Sequence, residues 1–400
     1  MSQARPAPAP ARGEELDWVT GLLLGGDPDA AAHWAIMPNL RHPRLLVPLG
    51  SPRAAAAALR QFNDGMTQRA RLMKALVGAG FRSKGTAWLL RRRGLVVDGA
   101  PGPLLELAER VLHEGDLAFA ITLGPIRPNR KPVVQIVRGD GTVLAYMKVG
   151  WNDLTRGLVR NEAEVLQRLE TAGPRTFQTP RLLHQGDWQG LDVTICSALP
   201  TRLWRRGRLH APPPPSVLRE IASLGGVERA TLAASRYWQR LRRRLEPVRA
   251  GDGRAAQVID TTLQELEAAP APVTFGSWHG DFAPWNLRAA GDRLFVWDWE
   301  RSAAPVPVGF DLLHFHYQVA VLAGGQPAPA AARIALARSA GPLRALDQQP
   351  HAGELLMTLY LLELLCRYGE AEVSAVTGRP DQVSASLLDA LADRLAGPSR

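Results

Sequence analysis

The chain has 400 residues, 46% hydrophobic and 22% charged, which is long enough for two or three packed subdomains and too apolar for a disordered polymer. Its formal net charge of +10 suggests a polyanionic partner, but the excess is almost all arginine: the only lysines are Lys74, Lys84, Lys131 and Lys148. No RNP, zinc-finger or basic-zipper pattern accompanies that charge, so nucleic acid is not expected as a partner.

In chain order, residues 1–12 are rich in Pro and Ala and lack an apolar core segment, which predicts a disordered tail rather than a secretory signal. Residues 13–112 read as an N-terminal α/β extension of unassigned role: a short strand over 44–49, an Ala-rich helix over 52–62, and helix again over 67–93. Arg91, Arg92 and Arg93 close that last helix as a solvated end, where the helix dipole favours cations. No catalytic constellation falls in this region.

From residue 117 the pattern turns β-like. Runs over 119–123, 133–137 and 143–149 predict strands, with Gly139-Asp140-Gly141 as a hairpin turn. A helix over 154–170 follows, stopped by Gly173-Pro174, and then a strand over 191–196. This β-β-β-α-β unit, residues 113–200, is expected to be a small antiparallel sheet with one helix. A basic, then Pro-rich connector leads into residues 201–397, where helices are predicted over 216–246, 254–268, 309–323, 328–340, 351–368 and 381–396. Extended stretches over 273–278 and 294–297 interrupt them. The most apolar run, 355–366, is shorter than a membrane span and carries Glu363, so it reads as a core helix and the chain as cytoplasmic. Cys196 and Cys366 lack metal-ligand spacing and sit in apolar runs, as buried core thiols do.

Chemistry concentrates in two places. Lys148 closes a strand that is apolar on both faces; either it snorkels at the sheet edge or it is paired, because a buried ammonium is costly alone. The next helix offers a partner: Glu162 falls within the apolar face made by Leu158, Val165, Leu166 and Leu169, whereas Glu164 points away. Further on, Asp281 and Asn286 lie in a loop that Pro284 keeps from becoming regular helix or central strand, and the strand after it ends at Asp298. Two carboxylates and an amide oxygen suit Mg²⁺, which takes few protein ligands, and leave one carboxylate to orient or deprotonate a hydroxyl.

In that order these residues resemble the aminoglycoside phosphotransferase and choline kinase-like family. His279-Gly280-Asp281-Phe282-Ala283-Pro284-Trp285-Asn286 matches its H-G-D-x-x-x-x-N catalytic loop, Asp298-Trp299-Glu300 stands where protein kinases have D-F-G, and Lys148 with Glu162 matches the strand lysine and helix glutamate. The segment from Pro307 to Leu312 looks like the stretch that follows the metal aspartate. The resemblance covers about residues 117–370 and implies an α+β, bilobal protein-kinase-like fold, with a small antiparallel-sheet N-lobe, a mostly helical C-lobe and ATP between them. It also implies Asp281 as catalytic base, Asn286 and Asp298 as Mg²⁺ ligands, Lys148 on the phosphates with Glu162 orienting it, and backbone near Ser197 and Leu199 at the adenine. His279 braces the loop.

One departure concerns the phosphate-covering turn. In place of G-x-G-x-x-G the chain has Gly124-Pro125-Ile126-Arg127-Pro128-Asn129-Arg130-Lys131-Pro132, whose prolines remove amide donors. Either Arg130 or Lys131 supplies the missing charge or the turn is merely solvated. Between residues 201 and 250 there are twelve arginines against Glu220, Glu228 and Glu246; this favours an anionic or neutral sugar-like acceptor over a polycation, unless those arginines simply coat a helix. The expected activity is therefore an ATP- and Mg²⁺-dependent small-molecule kinase. A non-catalytic nucleotide-binding module of the same fold and, behind it, a protein kinase are the alternatives.

Overall fold

The structure is a computed structural model that describes residues 15–25, 32–60, 95–124, 129–200, 211–251, 253–268, 271–346, 352–374 and 382–396, together with Gly80, Trp88, Leu90, Arg92 and Arg93. The tail expected over 1–12, most of the helix expected over 67–93, and the basic start of the connector lie outside them. The chain divides into two units, one of residues 1–167 and 180–206, the other of residues 168–179 and 207–400.

The first unit is built on an eight-stranded sheet in the order β3-β1-β2-β4-β5-β6-β8-β7, with every neighbouring pair antiparallel. Its strands are β1 (Ala32–Met37), β2 (Leu45–Pro48), β3 (Val96–Gly99), β4 (Leu117–Thr122), β5 (Val133–Arg138), β6 (Val143–Gly150), β7 (Leu182–Trp188) and β8 (Leu191–Ser197). Thus the region before residue 112 contributes three strands to the sheet and also covers it. Helices α1 (Glu15–Leu23) and α3 (Gly102–Leu112) bury Val19, Leu23, Leu104 and Leu107 with Met147, Val149, Val193 and Ile195 on one face. Helix α2 (Pro52–Arg60) packs Ala54, Ala55, Ala57 and Ala58 near Val47, Ala120 and Val137.

The β5–β6 turn forms where predicted: Gly141 takes φ +90, and Asp140 Oδ1 accepts the Thr142 N–H at 2.8 Å. Helix α4 (Asp153–Ala172) begins at Asn152, whose Oδ1 accepts the Thr155 N–H at 2.9 Å, and ends as Gly173 turns left-handed. Strand β7 was not read from the sequence. It is an edge strand paired only to β8, and its polar, half-exposed residues give no apolar run.

In the second unit, α5 (Pro215–Ser223), β9 (Glu228–Thr231) and α6 (Arg236–Gly251) replace the single helix expected over 216–246. The break falls at Gly225-Gly226, where Gly226 adopts φ +82. Then come α7 (Gly253–Glu267), β10 (Pro272–Trp278), the hairpin β11 (Leu287–Ala290) and β12 (Arg293–Val296), β13 (Ala303–Pro307), α8 (Phe310–Gln318), α9 (Ala328–Arg344), α10 (Ala352–Ser374) and α11 (Gln382–Leu395). Strand β10 lies between β13 and β9 in a small antiparallel sheet. Helix α10 packs against α6, α8, α9 and α11; its residues Leu356, Met357, Leu359 to Leu362 and Leu364 to Cys366 are fully buried. Being apolar nearly all round, it is the central helix that its composition predicts. The expected architecture, an antiparallel sheet followed by a mostly helical region, is the one observed.

Candidate active site

In the first unit Lys148 and Glu162 are brought together. The ammonium lies 2.8 and 2.7 Å from the two carboxylate oxygens, and both side chains are largely buried. α4 is seated on this sheet face by the Thr194 hydroxyl, which donates to the Val159 carbonyl at 2.9 Å. Glu162 therefore points at the sheet from the helix's buried side, while Glu164 is exposed. Of the alternatives open for Lys148, pairing is the one the structure adopts.

Ser197 ends β8. Its N–H donates to the Arg181 carbonyl and its hydroxyl oxygen accepts the Arg181 N–H, both at 2.9 Å, while the Ala198 N–H donates to the Leu144 carbonyl at 2.8 Å. The amide hydrogen of Ser197 is thus engaged in the sheet. Part of the turn expected to cover the phosphates, residues 125–128, lies outside the described residues. Arg130 is buried, and its guanidinium donates to the carbonyls of Leu123 (3.1 Å) and Pro43 (2.8 Å). It fastens the base of the turn.

In the second unit the loop after β10 is held at nearly every polar atom. Gly280 has φ +85, and a Cβ there would lie 2.0 Å from the Arg301 carbonyl oxygen, so only glycine fits. The Asp311 carboxylate, in the first turn of α8, accepts the N–H groups of His279 (2.7 Å) and Gly280 (3.1 Å). Burial pushes the Asp311 carboxyl up to about 7 against the pull of those two hydrogen bonds. His279 is fully buried: its Nδ1 accepts the Asp281 N–H at 3.1 Å, which leaves Nε2 to donate to the Trp297 carbonyl at 3.0 Å. His279 thereby links the loop to the end of the β11–β12 hairpin.

Asp281 and Asn286 are in direct contact. The Asn286 amide nitrogen donates to the Asp281 carboxylate and to its backbone carbonyl, each at 2.9 Å. With the nitrogen so placed, the amide oxygen is the atom Asn286 has to offer a cation. Asp281 Oδ1 lies 3.0 Å from His314 Nε2. Burial alone would raise the Asp281 carboxyl; the hydrogen bond from His314, the electrostatic pull of that ring and then that of the Arg367 guanidinium outweigh it and hold the group well below the usual carboxylate range. Asp298 follows β12 in a left-handed conformation, φ +68, and buried Glu300 has a carboxylate oxygen within 4.8 Å of it. The neighbouring carboxylates of Asp298 and Glu300 suit a hard, oxygen-seeking cation such as Mg²⁺.

Several contributors were not singled out from the sequence. Arg288 is buried, donating to the carbonyls of Pro284 and Leu287 (3.0 and 2.9 Å), and so supports the loop from inside. Arg367, on α10, donates to the Gly280 carbonyl at 2.6 Å and lies over the Trp278 ring. His314 and Tyr360 are the others. The available signal was polar side chains set inside otherwise apolar helices, which has many innocent causes.

Residues 152–348 match the model of the phosphotransferase enzyme family, APH. Among solved structures, a thermostable mutant of aminoglycoside phosphotransferase APH(4)-Ia, in a ternary complex with ADP and hygromycin B, is similar with a TM-score of 0.48 at 15% identity, over 74% of this chain and 99% of that one. The amicoumacin kinase hAmiN, in complex with AMP-PNP, Ca²⁺ and Ami, gives 0.45 at 11% identity over 73% and 92%. A putative fructosamine-3-kinase from Thermobifida fusca gives 0.42 at 16% over 74% and 99%. No curated protein matches the chain.

Proposed function

We propose, from the premise that residues 152–348 are a domain of the phosphotransferase enzyme family, that the chain is a small-molecule kinase transferring the γ-phosphate of ATP to a hydroxyl of a metabolite, sugar or antibiotic. The observation that carries this reading is the hydrogen-bonded Asp281–Asn286 pair on a loop pinned by Asp311 and His279. Phosphoryl transfer passes through a loose transition state, so positioning and charge neutralisation matter more than a strong base. Asp281 suits that demand: its lowered pKa keeps it ionised, so that both oxygens are acceptors when a hydroxyl arrives. It takes the proton late, as the new O–P bond forms.

Asn286 and Asp298 are the proposed Mg²⁺ ligands, with the Glu300 carboxylate beside Asp298. When bound, the ion would neutralise charge on the transferring phosphoryl group. Lys148, oriented by Glu162, is assigned to the α- and β-phosphates. The backbone near Ser197 and Leu199 is assigned to the adenine; the Ser197 N–H itself is engaged by the Arg181 carbonyl. The arginine-rich stretch before residue 250 supports an anionic or neutral sugar-like acceptor.

An ATP-consumption screen across sugars, amino alcohols and aminoglycosides, run with and without Mg²⁺, tests this reading: one acceptor class should give Mg²⁺-dependent turnover. The second reading, a nucleotide-binding module without turnover, is favoured by the proline-stiffened turn whose Arg130 is committed to backbone carbonyls. Stabilisation by Mg²⁺-ATP in a thermal-shift assay, with no consumption for any acceptor, would select it.

A further inference from the structure

We infer that His314, held in one tautomer by Tyr360, is a positioning residue that fixes the plane of the Asp281 carboxylate. The inference rests on the reading of Asp281 as the group that meets the acceptor hydroxyl. An ionised carboxylate only accepts hydrogen bonds, so at 3.0 Å from Asp281 Oδ1 the His314 Nε2 must be the donor. Its Nδ1 is then an acceptor, and the Tyr360 hydroxyl stands 2.9 Å from it to donate. Both rings are fully buried. Burial holds His314 neutral, below the ordinary histidine range, and pushes the Tyr360 hydroxyl far above its own. The chain of donors therefore runs in a single direction: Tyr360 O–H to His314 Nδ1, then His314 Nε2–H to Asp281.

Geometry explains why the second donor matters. Asn286 holds Oδ2 of the carboxylate. A carboxylate held at one oxygen can still swing about the Cβ–Cγ bond; held at both, it cannot. His314 supplies the second point and, being neutral, brings no charge that would draw the carboxylate away from an incoming hydroxyl. The helices that carry these groups already grip the same loop. On α8, Asp311 and His314 are three residues apart and share a face: the first takes the loop's N–H groups, the second its carboxylate. On α10, Tyr360 supports His314, and Arg367 takes the Gly280 carbonyl. The ring centroids of Phe310 and Tyr317 lie 5.8 and 5.6 Å from that of Tyr360, and that of Trp278 lies 6.3 Å from His314, all in edge-to-face contacts that pack both rings.

Two measurements on the full chain test this. Histidine-selective ¹⁵N NMR at neutral pH should show a histidine, absent from His314→Gln, with a protonated Nε2 and an unprotonated Nδ1, whose signal moves in Asp281→Ala and in Tyr360→Phe. The opposite tautomer, or a signal indifferent to both substitutions, would overturn the inference whether or not the chain proves to be a kinase. With the acceptor found by the screen, His314→Leu should lower kcat about 10²-fold, the scale on which small misplacements act. KM for ATP and acceptor should stay unchanged. His314→Gln, which can return a donor to the same oxygen, should recover most of the loss. Unchanged kcat in His314→Leu, or equal losses in Leu and Gln variants with a matching fall in Tm, would reduce His314 to a packing residue. Acceptor turnover surviving Asp281→Asn would sink the underlying reading instead, with the NMR signature intact.

Discussion

Gly280 shows how tightly a single residue is specified. Its φ of +85 and the Arg301 carbonyl 2.0 Å from where a Cβ would stand leave no space for any side chain. Gly280→Ala is expected to lower stability by about 1–3 kcal/mol, the range for a residue forced into a sparse backbone region, and to reduce turnover further by shifting Asp281. Denaturant unfolding and kcat on the same preparation measure both parts. His316 makes a different prediction. Burial, then the charge of Arg338, lowers its proton affinity to about 4, whereas an unfolded chain returns it to about 6.5. The unfolded state therefore binds the proton first on acidification. The contribution of His316 to stability is complete above the unfolded value and is lost as pH falls through the folded one. Thermal unfolding from pH 7 down to 4 should show a shallower acid decline for His316→Leu than for the parent; parallel curves would refute this.

The elements behaved according to how much of their environment was local. The hairpin at Gly139-Asp140-Gly141, helix α4 and the central helix α10 carry their own stop signals or apolar pattern, and all formed close to expectation. Strand β7 is an edge strand with a mixed surface, and β9 owes its existence to pairing with β10; neither leaves a pattern in its own residues. The candidate site divides similarly. Asp281, Asn286, Asp298, Lys148 and Glu162 could be named because they fall in recognisable runs, and the Lys148–Glu162 contact followed from the burial of Glu162 on α4. His314, Tyr360, Arg288 and Arg367 act through contacts between distant segments, which one sequence does not disclose. The pair that joins β6 to α4 yields a test at this scale. Glu162→Leu, which leaves a largely buried ammonium without its carboxylate, should cost about 3–5 kcal/mol of stability. Adding Lys148→Met to it should recover part of that loss, since an apolar pair needs no compensating charge. Equal losses for the single and double variants would show that the unpaired ammonium is not the source of the loss.

At the scale of the whole molecule, the region before residue 112 has a structural role that composition did not reveal. It lengthens the first unit's sheet by β1, β2 and β3 and buries one of its faces under α1 and α3. A chain lacking this region would expose Met147, Val149, Val193 and Ile195 together, a patch of the kind that drives aggregation. Such a truncation should be insoluble or bind a hydrophobic dye strongly; a soluble, cooperatively folding truncation would contradict the assignment. No helix among the described residues is long and apolar enough to cross a membrane. The family match spans residues 152–348. It takes in Glu162 and the loop at 279–286 but not Lys148, so the carboxylate chemistry is where the functional claim stands or falls. The most direct measurement is acceptor-dependent, Mg²⁺-dependent ATP consumption by Asp281→Asn beside the parent chain, both verified as folded. Consumption is expected in the parent and a fall of about 10³-fold or more in the variant, with ATP binding retained. Equal consumption by the two proteins would contradict the role given to Asp281.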